Sequence, residues 1–194
     1  MAEEGNGNTA TNFDEEEDAP YKPPAMKTVE ELKSLDSGDE SLQKMKATLL
    51  PEAKPIEPNN PKNVLVRSLT LLVDGRPEVV LDLSKAELES LNFVIKEGTS
   101  YRLKISFHVQ REIVSGLKYV QRIYRTAVPV DKQTMMVGSY APRDDLHTFV
   151  TPAEEAPSGM LGRGTYSMKS LFTDDDRNEW LKWDWKVEIK KEWD

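Results

Sequence analysis

The residues best suited to metal binding or acid–base chemistry are few, and their spacing is poor for both. His108 and His147 are the only histidines, and the chain has no cysteine, so thiolate chemistry, disulfides and cysteine-bound zinc are excluded. The acidic run Asp174-Asp-Asp176 lacks the interleaved ligands and central glycine of a dedicated calcium loop. We therefore expect no metal site, and we interpret the acidic run as a solvated turn or a contact with a basic partner.

Nucleophilic and nucleotide chemistry also lack their usual motifs. The sequence contains neither a Gly-x-Ser-x-Gly elbow nor a phosphate-binding loop, and Gly162-Arg-Gly164 is too short for a dinucleotide fingerprint. A nucleophile, a base and an orienting group cannot be assembled from recognisable spacing. The sequence predicts a protein with no catalytic residues and no cofactor, which acts by binding.

Charge is distributed unevenly along the 194 residues. The net charge is −8, and residues 1–60 hold 14 acidic against 6 basic side chains, whereas residues 61–194 hold 20 of each. Such a chain is not suited to nucleic acid or to anionic lipid by simple electrostatics, and a partner with a basic patch suits it better. No basic start with an apolar stretch precedes the acidic segment, and no apolar run approaches the roughly 20 residues of a membrane span. We expect a cytoplasmic protein.

The elements that must position any binding site read as β-strands. Residues 101–109 and 183–189 alternate large apolar and polar side chains, as half-buried strands do. Apolar runs between turn-like pairs indicate eight or nine strands, at 64–73, 79–83, 93–96, 101–109, 117–128, 135–140, 165–172 and 180–189. This pattern predicts an all-β, immunoglobulin-like β-sandwich, with one short helix at 84–91. Its aromatic inner faces could form an ordinary core or leave room for an apolar ligand.

The N-terminal third predicts a different organisation. Residues 1–25 are too polar to fold alone and read as a disordered acidic tail. Residues 26–60 read as an arm, in which a capping box at Thr28–Glu31 and helical spacing around Ser37-Gly38 predict two short helices. Prolines from Pro51 onward predict a stiff linker, and residues 61–194 form the sandwich. The helices are too short to be stable alone, so they must pack on their own domain or on a partner.

Longer sequence segments are more specific than any single motif. They are Tyr21-Lys-Pro-Pro24, Gly38-Asp-Glu-Ser-Leu42, Phe93-Val-Ile-Lys-Glu-Gly98, Tyr101 through Tyr119, Met136-Val-Gly-Ser-Tyr140, Thr151-Pro-Ala-Glu-Glu-Ala-Pro157, Phe172-Thr-Asp-Asp-Asp176 and Trp183 through Trp193. Together, in order and from about residue 21 to the C-terminus, these segments resemble the Rho GDP-dissociation inhibitors.

The resemblance implies a monomer that forms a one-to-one complex with a prenylated Rho- or Rac-type GTPase in the GDP state. The family's arm restrains nucleotide release, and its sandwich shelters a geranylgeranyl group, so that the GTPase leaves the membrane and the inhibitor touches the bilayer only transiently. By this resemblance, residues that contact the GTPase are Tyr21, Asp39, Ser41 and Asp176, and those near the lipid pocket are Leu71, Phe93, Tyr101, Ile113, Met168, Trp183 and Trp185. Asn92 and Thr165 stand where serines are frequent in the family.

Two other readings remain open at this stage. A carrier that solubilises prenylated or acylated clients would need the cavity but not the arm. An immunoglobulin-like adaptor with a filled core would bind no lipid at all. The arm favours the nucleotide regulator over the carrier, and binding of a prenyl analogue separates both from the adaptor.

Overall fold

The structure, a computed structural model, describes residues 55–84 and 91–193, which contain ten β-strands. In chain order the strands are β1 (Val64–Leu72), β2 (Val79–Asp82), β3 (Asn92–Lys96), β4 (Ser100–Val109), β5 (Val114–Arg125), β6 (Val128–Tyr140), β7 (His147–Val150), β8 (Glu154–Glu155), β9 (Gly164–Thr173) and β10 (Glu179–Lys190).

The strands form two sheets. One has the order β2-β1-β4-β7, with β8 added along β4, and the other has the order β3-β10-β9-β5-β6. All pairs are antiparallel except β3 with β10, which run parallel. The edge strands β2 and β3 face one another across the sandwich, because residues of both line one groove, and β6 and β7 do the same at the opposite edge.

Alternation along the strands builds the core between the sheets. In β10 every second residue from Trp183 to Ile189 is buried, and the residues between them are exposed or half-buried. The β4 residue Phe107 meets Phe172 of β9, with ring centroids 5.1 Å apart, which joins the two inner faces. The predicted all-β sandwich is confirmed, because each sheet buries one apolar face against the other.

The long β5–β6 hairpin differs from the predicted strand limits. The sequence suggested a turn at Ser115-Gly116, but both residues lie within β5, where the pairing with β6 shifts register. Gly116 has φ +63°, and a Cβ there would collide with the Asp175 carboxylate, so this bulge requires glycine. The real turn is at Thr126-Ala127, inside the predicted 117–128 run.

Two short strands were not predicted, and the predicted helices are not covered by the described residues. The strands β7 and β8 were not predicted, because they are two to four residues long and carry mostly exposed or half-buried side chains. The arm helices and most of the proposed helix at 84–91 lie outside the described residues.

The end of the predicted linker lies against the sandwich. The Gln110 side chain, 1% exposed, accepts a hydrogen bond from the backbone N–H of Glu57 at 3.0 Å and donates to the carbonyl of Lys62. Arg111 donates to the carbonyl of Pro58 at 3.0 Å. Because a buried amide left without partners costs about 1–3 kcal/mol, residues from Glu57 onward belong with the sandwich in any truncation.

Candidate functional site

An apolar groove opens where the edge strands β2 and β3 face one another. It has a volume of about 340 Å³ and is lined by Leu71, Val73, Arg76, Pro77, Val79, Asn92, Phe93, Val94 and Trp193. Leu71 and Phe93, both predicted lipid-site residues, form its buried floor at 3% and 1% exposure. The volume is within the range of small-molecule sites, and most of the lining side chains are apolar, so the groove can hold an apolar ligand.

A cation–π contact borders one end of the groove. The Arg76 guanidinium lies 4.0 Å from the ring centroid of Trp193, which joins the β1–β2 turn to the segment that follows β10. Both residues line the groove. A ligand that enters at this end must pass this pair or displace it.

Beside the groove, the interior contains a hydrogen-bonded polar cluster. The Tyr119 hydroxyl bonds to the Gln121 carbonyl oxygen at 2.8 Å and lies 2.9 Å from the Ser170 hydroxyl, to which the Trp185 indole also donates at 2.9 Å. All four side chains are at most 2% exposed. Because the cluster satisfies its own polar groups, it orients Trp185 without needing water, and it makes the β5-β9-β10 face a stiff wall.

The aromatic residues near the polar cluster connect it to the groove. Phe93 meets Trp185 edge to face with centroids 5.6 Å apart, and Trp183 stacks on Tyr119 at 5.9 Å. Trp183 is 2% exposed, and its indole nitrogen has no hydrogen-bond partner. An unpaired buried donor costs about 1–3 kcal/mol, so this part of the interior is less well satisfied than an ordinary dry core.

Tyr101, another predicted lipid-site residue, is fixed by β8. Its hydroxyl donates to the Glu154 carboxylate at 2.9 Å across the β4–β8 pair. Desolvation raises the pKa of Glu154; the hydrogen bond from Tyr101 opposes this, and the charge of Asp131 adds to it. The raised pKa means that the folded state holds the ionised carboxylate less favourably than water does.

Replacement of Glu154 by Gln is expected to stabilise the protein at neutral pH and not at low pH. A raised pKa in the folded state gives stability that is complete below the unfolded pKa, about 4.3, and is lost as pH rises through the folded pKa. Glutamine keeps an acceptor for Tyr101 without the charge. In chemical denaturation the free energy of unfolding should be higher for the variant than for the wild type at pH 7, and this gain should disappear near pH 3.5. A constant difference at both pH values would contradict this.

The other predicted site residues are distributed more widely. Met168, Trp183 and Trp185 are buried on the inner face of β9 and β10. Ile113 is 38% exposed between β4 and β5 and does not line the groove. Tyr21, Asp39 and Ser41 lie outside the described residues. The structure therefore brings together Leu71 and Phe93 in the groove and the aromatic residues behind it, and it leaves Ile113 apart.

The acidic run contains one buried carboxylate and two that are less buried. Asp174 is 4% exposed, and its carboxylate accepts hydrogen bonds from the Asn178 backbone at 2.9 Å and from the Trp180 indole at 2.9 Å. Asp174 therefore fixes the β9–β10 turn, and the interpretation of the run as a solvated turn was wrong for this residue. Asp175 is exposed and forms an ion pair with Lys118 at 2.8 Å, whereas Asp176 is half-buried.

The described residues contain neither a cluster of metal ligands nor a helix that could span a membrane. They include no group of three or more His, Cys, Asp or Glu side chains that could hold a metal ion. Within the same residues, no helix has the length and apolar character needed to cross a bilayer.

Sequence reasoning missed much of the groove rim. Arg76, Val79 and Trp193 come from a turn, an edge strand and the C-terminal segment, and no local pattern predicts that they meet. For the polar cluster, the sequence offered only one indication. Tyr119 and Gln121 are two residues apart, so their side chains must lie on the same face of any strand that contains both. A second depression of about 580 Å³ lies at the opposite edge, between β6 and β7, but it is more open to solvent and contains no residue of the predicted lipid site.

Comparison with known proteins gives consistent results. A family model described as RHO protein GDP dissociation inhibitor matches residues 6–192. Human Rho GDP-dissociation inhibitor 1 is 52% identical over 189 residues, which cover 95% of this chain and 92% of that protein. A probable rho GDP-dissociation inhibitor of Caenorhabditis elegans is 44% identical, covering 95% and 97%, and human Rho GDP-dissociation inhibitor 3 is 49% identical, covering 89% and 78%. With matches that span nearly its whole length, the chain belongs to the family of Rho GDP-dissociation inhibitors.

Proposed function

We propose that this protein binds Rho-family GTPases and inhibits their release of GDP, as a stoichiometric regulator and not as a catalyst. The observation that carries the proposal is the family match over residues 6–192, which includes the N-terminal arm as well as the sandwich. A groove whose lining side chains are mostly apolar agrees with a protein that acts by binding.

The ligand of the groove is proposed to be the geranylgeranyl group of the GTPase. Support comes from the apolar lining, from the presence of Leu71 and Phe93 in it, and from the aromatic wall of Trp183 and Trp185 behind it. A groove of about 340 Å³ is short for a 20-carbon chain, so we expect the inner faces to separate further when the lipid enters. The unpaired Trp183 indole marks a place where little would be lost on separation.

Lipid burial alone does not explain removal of a GTPase from a membrane. A 20-carbon chain gains about 16 kcal/mol on leaving water, at about 0.8 kcal/mol per carbon, but the bilayer offers nearly the same gain. The difference must come from protein–protein contacts that the membrane-bound GTPase lacks. We propose that the arm, with Tyr21, Asp39 and Ser41, and the β9–β10 turn, with Asp176, supply these contacts in a one-to-one complex.

The direct test is GDP release from geranylgeranylated Rho- and Rac-type GTPases, measured with a fluorescent GDP analogue with and without this protein. Slower release at an equimolar ratio supports the proposal. Unchanged release together with binding of a geranylgeranyl peptide would instead identify the alternative function, a prenyl carrier without nucleotide control. Absence of both would identify an adaptor.

Asp39→Asn is expected to weaken binding to a prenylated Rho GTPase by at least about tenfold, without a change in the thermal stability of the sandwich. The reason is that a charged hydrogen bond across an interface is worth about 2–5 kcal/mol on truncation, whereas the cap that Asp39 could form is worth about 1 kcal/mol and is kept by Asn. Asp39→Ala removes both. If Asp39→Asn binds like the wild type and only Asp39→Ala is weak, the carboxylate serves as a cap and its contact role is lost.

A further inference from the structure

The loop between β8 and β9 presents two adjacent apolar side chains to solvent. Met160 and Leu161 are 82% and 83% exposed, higher than any other large apolar residue in the described ranges. Single exposed apolar residues are common on protein surfaces. Met160 and Leu161, however, are adjacent at the tip of a loop, and their high exposure means that neither side chain contributes to the core of the sandwich.

The loop is held in this shape by specific contacts. The Glu97 carboxylate accepts hydrogen bonds from the Gly159 backbone at 2.8 Å and from two nitrogens of Arg163 at 2.8 Å each. Arg125 donates to the carbonyls of Leu161 and Arg163. These contacts fix the backbone on both sides of Met160 and Leu161. The loop conformation therefore holds the two apolar side chains in solvent.

The backbone of the tip is equally constrained. A Cβ on Gly162 would lie 2.6 Å from the carbonyl oxygen of Ser158, and the Tyr166 hydroxyl donates to the Gly162 carbonyl at 2.9 Å. Hydrogen bonding to Arg163 lowers the pKa of Glu97, which therefore remains ionised at neutral pH. A rigid tip inserts into a partner at a lower entropic cost than a mobile one.

The tip lies at the same end of the sandwich as one end of the groove. The Glu97 backbone N–H donates to the carbonyl of Lys190 at 2.8 Å, and Lys96 forms an ion pair with Glu192 at 2.8 Å. The next residue, Trp193, lines the groove beside Arg76. The β3–β4 turn thus connects the tip to the end of the groove at Trp193.

We propose that Met160 and Leu161 insert into the membrane surface and place this end of the groove against the bilayer, as the end through which the lipid enters. This inference rests on the proposed function, because a lipid that moves between a bilayer and the groove must cross the end of the sandwich that touches the bilayer. A protruding tip fits a deformable lipid surface, which needs no complementary pocket. The contact is mainly apolar, as suits a chain of net charge −8, and two side chains give only weak, reversible binding.

The chain has no cysteine, which allows a direct test. An environment-sensitive nitrobenzoxadiazole dye is attached to the full chain through Met160→Cys, and in a matched control through Leu146→Cys, a leucine that is 44% exposed between β6 and β7 and lines neither depression. Vesicles of phosphatidylcholine, which carry no net charge, are then added. We expect the emission at position 160 to rise and shift to the blue, with no change at position 146. No change at position 160, or equal changes at both positions, overturns the proposal.

A second measurement separates this proposal from the proposed function. The double variant Met160→Ser, Leu161→Ser should extract a geranylgeranylated GTPase from the same vesicles about tenfold more slowly than the wild type. Inhibition of GDP release from the GTPase complex in solution should be unchanged. Loss of inhibition in solution would place the tip against the GTPase and overturn the membrane contact. If the wild-type protein fails to inhibit release, the proposed function fails, while the dye result still decides whether the tip meets lipid.

Discussion

Removal of residues 1–54 is expected to reduce inhibition of GDP release by about 30-fold or more while prenyl binding is retained within about twofold. The proposed arm contacts include at least one charged hydrogen bond, worth about 2–5 kcal/mol, and about 1.4 kcal/mol corresponds to a factor of ten. The groove and its aromatic wall lie wholly within residues 71–193, so the deletion leaves them intact. The measurements are GDP release from a prenylated GTPase and binding of a geranylgeranyl peptide.

The deletion should end before Pro55, and a longer one provides the contrast. Removal of residues 1–62 would also take away the backbone groups of Glu57 and Lys62 that satisfy the buried Gln110 amide. We expect the longer deletion to lower the free energy of unfolding by about 1–3 kcal/mol, whereas the shorter one should not change it. Full inhibition by the protein that lacks residues 1–54 would contradict the division of roles between arm and sandwich.

The sandwich could be predicted from local patterns because its central strands are amphipathic in the simplest way. In β4 and β10 one face meets the opposite sheet and the other meets solvent, so a period of two is visible in the sequence. The burial of Trp183 and Trp185 follows directly from that period. Edge strands carry a weaker signal, and the short β7 and β8 are mostly exposed or half-buried, so alternation could not identify them.

Turn chemistry explains the error in the β5–β6 hairpin. Two-residue hairpin turns usually carry Asn-Gly or Asp-Gly because both central residues need positive φ. Here Thr126 and Ala127 take φ +49° and +64°, although neither favours that region. The turn is therefore imposed by the long pairing on either side, which no local pattern reveals.

The residues that line the groove could be predicted only in part from the sequence. Leu71 and Phe93 were predicted through the family resemblance, while the pairing of Arg76 with Trp193 joins residues more than a hundred positions apart. This contact joins the β1–β2 turn of one sheet to the segment that follows β10 of the other sheet. Long-range pairing of this kind has no sequence periodicity.

Val79→Trp is expected to weaken binding of a geranylgeranyl peptide about 50-fold. Val79 lines the groove and is 48% exposed, so a larger side chain can fill the groove without overpacking the core. Exclusion of three carbons of the lipid, at about 0.8 kcal/mol each, gives an effect of this size. The measurement is fluorescence titration with a dye-labelled prenyl peptide, together with a thermal melt of the variant.

The neighbouring residue supplies the control. Val80 is 58% exposed on the same strand, but it pairs with Thr70, whereas Val79 pairs with Leu71, so the two valines face opposite sides of the sheet. Val80→Trp adds the same bulk and the same aromatic surface outside the groove, and it should bind the peptide as the wild type does. If both variants bind normally, the lipid does not occupy the groove between β2 and β3, and the depression between β6 and β7 becomes the site to test. If both lose binding equally, the effect is on the edge strand itself and not on the groove.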